Sequence, residues 1–298
     1  MLCLQDHKEV LKRVRKIELK TRRLVDGLVQ GAYYSVFKGR GIEFSEIREY
    51  QIGDDIRTID WNVTARMNKP FIKEFVEERD LNIIIVFDIS ASNNFGSGKL
   101  YKKEIVVELS ATIAFSAIRN NDNVGLILST DKVEKYIPPK KGKSNVLRLI
   151  REMIYFSPEG KRTDLEDPIK FMSKVLKKRS VIFIISDFYA DLDRIEKPLK
   201  FLGMKHDVIG IRIYDPRESE MPDVGFIELE DEETGEQLLV DTSDEDFRER
   251  FRDLSEQKGK EIFKRFQRNK IDMIGVSTAE DWSGPLMSFF KNRARKMS

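Results

Sequence analysis

Two aspartates close long apolar runs: Asp88 ends IIIVFD and Asp187 ends VIFIISD. The first continues as Asp88-Ile89-Ser90-Ala91-Ser92. Side chains alternate along an extended chain, so Asp88, Ser90 and Ser92 are expected to face a common point. One carboxylate and two hydroxyls are hard oxygen donors of low total charge. That suits Mg²⁺ or Mn²⁺, which take oxygen ligands; Mg²⁺ keeps several waters and needs few protein carboxylates. The Thr163 hydroxyl, in GKRTDL (160–165), and Asp187 would complete a set of oxygen-bearing groups drawn from three loops. Such a site is expected to hold one ion weakly and to stay open, so that an acidic side chain of a partner can fill the free position. The competing reading is structural. A strand-ending aspartate can satisfy backbone amides, and Ser90, Ser92 or Thr163 can cap a helix.

The elements that must position these residues are legible from residue 81 onward. LNIIIVFD and SVIFIISD are almost continuous apolar runs, the mark of strands covered on both faces. VGLILST (124–130) and HDVIGIRIYD (206–215) read the same way, KIDMIGVST (270–278) is a last strand, and KVEKYIP (132–138) follows its neighbour by a tight turn. Helical spacing recurs at 99–120, 144–156, 164–178, 191–203, 244–268 and 282–296, and a hairpin is expected around Glu233–Gly235. Strands alternating with helices predict an α/β fold with a doubly wound, mainly parallel sheet over 80–298. The functional crevice of such a sheet lies outside the carboxyl ends of its central strands, where Asp88 and Asp187 stand.

Residues 1–79 are read as a separate lead-in: an amphipathic helix at 8–30, then a small β-rich unit. Arg48, Asp54, Asp55, Arg57, Asp60 and Arg66 surround Trp61, with Glu77, Glu78 and Arg79 after them. The favoured reading is a knot of ion pairs, since the planar guanidinium binds carboxylates bidentately. Trp61, Phe71 and Phe75 are expected to fill the core of this unit. The functional reading makes Arg48, Asp54, Arg57, Asp60 and Arg66 a docking surface for a partner.

Bulk properties narrow the class. The 298 residues are 35% charged and 40% hydrophobic, with a formal net charge of +2. No global pull toward nucleic acid or membrane follows. Local runs do exist: LKRVRKIELKTRR (11–23) and KNRARK (291–296) are basic, and LEDEETGE (229–236) is acidic. A single cysteine, Cys3, excludes an intramolecular disulfide and a thiolate metal cluster. No apolar run is long enough to span a membrane, and polar residues occupy the place of a signal peptide's apolar stretch. A cytoplasmic location is expected.

The D-x-S-x-S run, the later threonine and the second strand-ending aspartate resemble the metal-ion-dependent adhesion site of von Willebrand factor A domains. GRGIEFSEIREYQIGDDIRTIDWNVTAR, followed by KEFVEERD and the ending STAEDWSGPLMSFFKNRARK, resembles the family called domain of unknown function fifty-eight. The resemblance implies a von Willebrand factor A-like domain and metal roles for Asp88, Ser90, Ser92, Thr163 and Asp187. It also implies partnership with a MoxR-type AAA+ ATPase in chaperone-like maturation or remodelling of client proteins. Two positions depart from the pattern: Arg162 precedes the threonine where many family members have glycine, and Phe188 follows the second aspartate where adhesion-type A domains commonly have glycine.

Other functions fit less well. A metal-dependent phosphatase-like hydrolase is the alternative, but haloacid-dehalogenase chemistry needs a second carboxylate where Ser90 stands. A serine hydrolase needs a histidine base, and His7 and His206 have no neighbouring nucleophile motif. No P-loop is present. Nucleic-acid binding would rest on the basic segments alone. A non-enzymatic, metal-dependent binding protein is the expectation.

Overall fold

The structure, a computed structural model, describes residues 4–29, 42–67, 69–77, 80–97, 101–160, 162–230 and 235–297. They form two compact units. One contains helix α1 (Leu4–Val29) together with the chain from Asn82 onward; the other spans Phe37–Leu81. The 1–79 segment is therefore divided, because α1 packs against helices that cover the sheet. Its buried stripe, Val14, Thr21 and Val25, explains this, with Thr21 donating its hydroxyl to the carbonyl of Ile17 at 2.9 Å. That bond satisfies the one polar group on the stripe.

The first unit is built on a six-stranded sheet of order β10-β7-β6-β3-β4-β5. The strands are β3 (Asn82–Asp88), β4 (Asn123–Ser129), β5 (Val133–Lys140), β6 (Ser180–Ser186), β7 (Asp207–Tyr214) and β10 (Asp272–Ser277). All pair in parallel except β5, which returns antiparallel to β4. A connection of three residues, Thr130–Lys132, permits only that direction. Every residue of β6 is buried, as is β3 from Ile83 onward, as the continuous apolar runs require.

Helices cover both faces: α3 (Lys102–Arg119), α4 (Lys143–Tyr155), α5 (Glu166–Val175), α6 (Leu192–Lys205), α7 (Glu245–Arg268) and α8 (Ser283–Met297). The α3 helix is buried on nearly every side, with Ser110, Ala111, Ala114 and Ala117 all enclosed. Small residues at these positions let α1 and the sheet approach it closely. A separate hairpin, β8 (Phe226–Glu230) and β9 (Gln237–Asp241), leaves Phe226, Leu238 and Leu239 exposed. No helix among the described residues is long and apolar enough to cross a membrane.

The second unit pairs β1 (Ile42–Glu49) antiparallel with β2 (Phe71–Glu77) and carries a helix between them, α2 (Trp61–Met67). Residues 30–41, together with Glu78 and Arg79, lie outside the described residues.

Candidate functional site

The chain passes from β3 to β4 on one side of β3, while β6 lies on the other, so strand order switches between β3 and β6. Asp88 is the last residue of β3 and Asp187 follows the last residue of β6. The crevice expected of a doubly wound sheet therefore has a carboxylate from each side. Both side chains are buried.

The run after Asp88 is not extended throughout. A 3-10 turn over Ala91–Asn94 begins directly after Ser90. It places the Ser90 and Ser92 hydroxyls 3.1 Å apart. Asp88 Oδ1 accepts the backbone N–H of Ser90 at 3.0 Å, and the Asn93 amide donates to the Asp88 carbonyl at 2.8 Å. These bonds hold the loop so that hydroxyls and carboxylate share one end of the sheet.

Three side chains not singled out in the sequence complete the site. Ser186 donates its hydroxyl to Asp88 Oδ2 at 2.6 Å. Lys102, at the start of α3 and fully buried, places its ammonium 3.5 Å from Asp187 Oδ2 and 3.5 Å from the Ser92 carbonyl. Glu218, in the turn Pro216–Glu218, forms the other ion pair of Lys102. Lysine and glutamate at such positions read as surface residues in a sequence. Only the packing of α3 against the strand ends turns Lys102 inward.

The electrostatics follow from this crowding. Burial, and then the charge of Asp187, push the Asp88 carboxyl up to about 7, although hydrogen bonds from Ser186 and Ser90 oppose the shift. Burial also raises Glu218, against the pull of Lys102. A third strand-ending aspartate, Asp215, behaves oppositely. Its burial is outweighed by hydrogen bonds from Ser97 N–H and Oγ (2.8 and 2.6 Å), Thr278 and Arg217, which hold it below the usual carboxylate range. Asp215 is thus a staple with its oxygens fully engaged, whereas Asp88 carries charge that its surroundings compensate poorly.

Thr163 lies half-buried in the loop before α5. It does not cap that helix: the position before α5 is Leu165, and Asp164 Oδ1 accepts the Glu166 N–H at 2.8 Å. The loop is tied to the end of β4 by Asp164 N–H donating to the Thr130 carbonyl at 3.3 Å. A Cβ at Gly160, where the loop begins, would fall 2.5 Å from Thr130 Oγ1 and against the Asp131 carboxylate, so a side chain there would have to push these groups aside. Arg162 is exposed. Thus Asp88, Ser90, Ser92 and Asp187 are brought together, and Thr163 stands on the loop beside the neighbouring strand.

The donor set fits a small hard cation. All its groups are oxygens, two are carboxylates, and the Asp88–Asp187 repulsion is the kind a divalent ion relieves. Asn93 Oδ1, in the 3-10 turn, and Ser129 Oγ, at the end of β4, are buried without a hydrogen-bond partner among the described residues. No group of three or more His, Cys, Asp or Glu capable of holding a metal occurs among the described residues, so hydroxyls and water would have to supply the remaining ligands.

In the second unit Arg48 binds Asp54 bidentately, at 2.8 and 2.9 Å, and this bond lowers the Asp54 carboxyl. Asp60 caps α2 through the N–H groups of Asn62 and Val63 and pairs with Lys73 at 3.2 Å. Arg57 and Arg66 are exposed, and their guanidinium groups join no ion pair among the described residues. Trp61 is 70% exposed, which corrects the expectation that it fills a core. It projects from a helix of seven residues too short to cover it. Ile52, Ile56 and Met67 are exposed as well.

The sequence profile of the family described as Protein of unknown function DUF58 matches residues 46–261. Rv1480, an uncharacterised protein of Mycobacterium tuberculosis, is 28% identical over 286 residues, covering 95% of this chain and 89% of its own. YeaD of Bacillus subtilis, also uncharacterised, is 28% identical over 138 residues, 46% of this chain and 31% of its own. Among solved structures, BatB from Bacteroides thetaiotaomicron superposes with a TM-score of 0.48 at 15% identity, covering 72% of this chain and 99% of that one. The SpRpn10 VWA domain gives 0.40 at 12% identity, covering 72% and 94%. The profile match takes in most of the chain, from the lead-in into α7, and the chain belongs to the DUF58 family of proteins of unknown function.

Proposed function

We propose that this chain is a non-enzymatic adaptor that binds one Mg²⁺ or Mn²⁺ weakly and uses the site to engage an acidic residue of a partner protein. The observation that carries this reading is the convergence of Asp88, Ser90, Ser92 and Asp187 at the switch point of the sheet, with Asp88 raised by burial and by its neighbour. Asp88 and Asp187 would supply the charge, Ser90 and Ser92 neutral oxygens, and Thr163 a further hydroxyl from the adjoining loop. When bound, the ion supplies an electrophilic position for a carboxylate from outside.

The family resemblance supports a MoxR-type AAA+ ATPase as the working partner, in maturation or remodelling of client proteins. The lead-in is the surface we assign to that ATPase. Arg48, Asp54 and Asp60 brace the unit, while Arg57, Arg66 and exposed Trp61 have the residue types that dominate binding hot spots.

Titration calorimetry with a co-expressed MoxR-type ATPase tests both assignments. Trp61→Ala with Arg57→Glu is expected to remove ATPase binding, and EDTA to leave it intact. Loss in EDTA alone would move the ATPase to the metal face. No binding by the wild-type chain would defeat the adaptor reading.

A further inference from the structure

A cavity of about 470 Å³ opens between α1 and α3, with one edge formed by α4. Its floor is aliphatic: Ile17, Val107 and Ile154. Its walls carry four cations, Arg13, Lys16, Lys20 and Lys103, against two carboxylates. Glu108 is already paired, and Glu104 is tied to the start of α3. Glu108 accepts from Lys20 at 2.6 and 2.7 Å and from the Trp282 indole N–H at 3.1 Å, and Glu104 accepts the Tyr101 N–H at 3.2 Å. Arg13, Lys16 and Lys103 have no carboxylate partner among the described residues.

Lys103 is the informative member. It is half-buried, and burial alone draws its ammonium below the usual lysine range. A desolvated cation without a counter-ion is costly to keep, and an anionic partner would relieve that cost. The basic run 11–23 is therefore more than a solvated face: one side of it forms the wall of a recess whose charge is unbalanced.

We propose that this groove is a docking site for an acidic amphipathic helix of a partner protein, its apolar face seated on Ile17, Val107 and Ile154 and its carboxylates paired with Arg13, Lys16 and Lys103. The charge of the groove selects the sign of the occupant, and the aliphatic floor between two helices selects its shape. Nucleic acid is disfavoured because no aromatic side chain among the described residues lines the groove for a base to stack on. A lipid surface is disfavoured because the apolar groups form the floor of a recess and do not project. The inference is independent of the metal site, since none of the proposed ion ligands lines the groove.

The test is fluorescence anisotropy with the full chain and a labelled helical peptide bearing leucine on one face and glutamate on its flanks. A scrambled peptide of equal composition, a duplex oligonucleotide and phosphatidylserine vesicles serve as competing probes. The amphipathic peptide is expected to bind equally in Mg²⁺ and in EDTA. Binding should weaken about tenfold in Lys16→Glu with Lys103→Glu, the loss of two ion pairs with repulsion added. Lys103→Gln, which only removes charge, should give a smaller loss in the same direction, and circular dichroism checks that each variant is folded. Equal binding of the scrambled peptide, unchanged binding in the folded variants, or tighter binding of the oligonucleotide or vesicles through the same residues would overturn the proposal.

Discussion

The ammonium of Lys102 lies 3.5 Å from Oδ2 of Asp187, and both side chains are closed to solvent. Its other carboxylate is Glu218. A fixed cation of the protein and a bound divalent ion would thus compete for the same oxygen. Lys102→Met is expected to tighten Mn²⁺ binding and to destabilise the metal-free protein by about 3 kcal/mol, the cost of leaving buried carboxylates unpaired. Urea unfolding with and without Mn²⁺ measures both effects. An unchanged Mn²⁺ affinity in a folded variant would show that the ammonium does not compete.

Asp88→Asn separates the chemistry of the site from its architecture. The amide oxygen can still accept the Ser90 N–H, while the repulsion from Asp187 disappears. Calorimetry is expected to show no Mn²⁺ binding, and thermal melts in EDTA a midpoint equal to or above that of the wild type. A lower midpoint together with retained ion binding would contradict the assignment of Asp88.

Phe188 sits at φ 60°, in the left-handed region, although it is not glycine. Its ring is buried edge-on against Phe266, with centroids 4.9 Å apart. The departure from the adhesion-site pattern thus exchanges backbone ease for core packing. Phe188→Ala should cost about 3–5 kcal/mol, the usual range for emptying a phenylalanine site. Phe188→Gly should cost about 1 kcal/mol less than Phe188→Ala, since glycine relieves the backbone. Denaturant unfolding gives the order of the two variants, and the reverse order would remove strain from the account.

His206 is buried, with Nδ1 accepting the Ser180 N–H at 3.3 Å. Burial, with smaller contributions from Lys205 and Arg179, holds its pKa below the ordinary 6.5. The unfolded chain therefore takes up a proton at a higher pH than the folded one. Stability is full above 6.5 and falls as the pH drops below it, until the folded form also protonates. His206→Asn keeps an acceptor but cannot titrate, so it should flatten the decline of urea midpoints below pH 6.5. A slope identical to wild type would place the acid sensitivity elsewhere.

The central sheet was readable because strands covered on both faces are written as unbroken apolar runs, and Asp88 and Asp187 interrupt those runs where the chain leaves the core. The turn at Ala91 was not readable, since Ser90 and Ser92 suit an extended strand end as well as a 3-10 turn. Lys102 and Ser186 are not legible in the sequence for a different reason. Their roles depend on neighbours distant in the chain, Glu218 and Asp88, and residue type alone says surface for the first and filler for the second. Trp61 departs in the opposite sense, because a large aromatic ring is expected inside unless a partner awaits it. The apolar stripe of α1 was visible, but amphipathicity does not say which element covers it.

The enclosure of α3 has a mechanical consequence. A helix gripped along its length by small side chains has no compressible side, so it moves as a rod or not at all. Lys102 is the tip of that rod and Lys103 the next residue along its flank. Added volume at buried Ala111, Ala114 or Ala117 is thereby expected to displace the Lys102 charge at the strand ends, several turns from where the atoms were added.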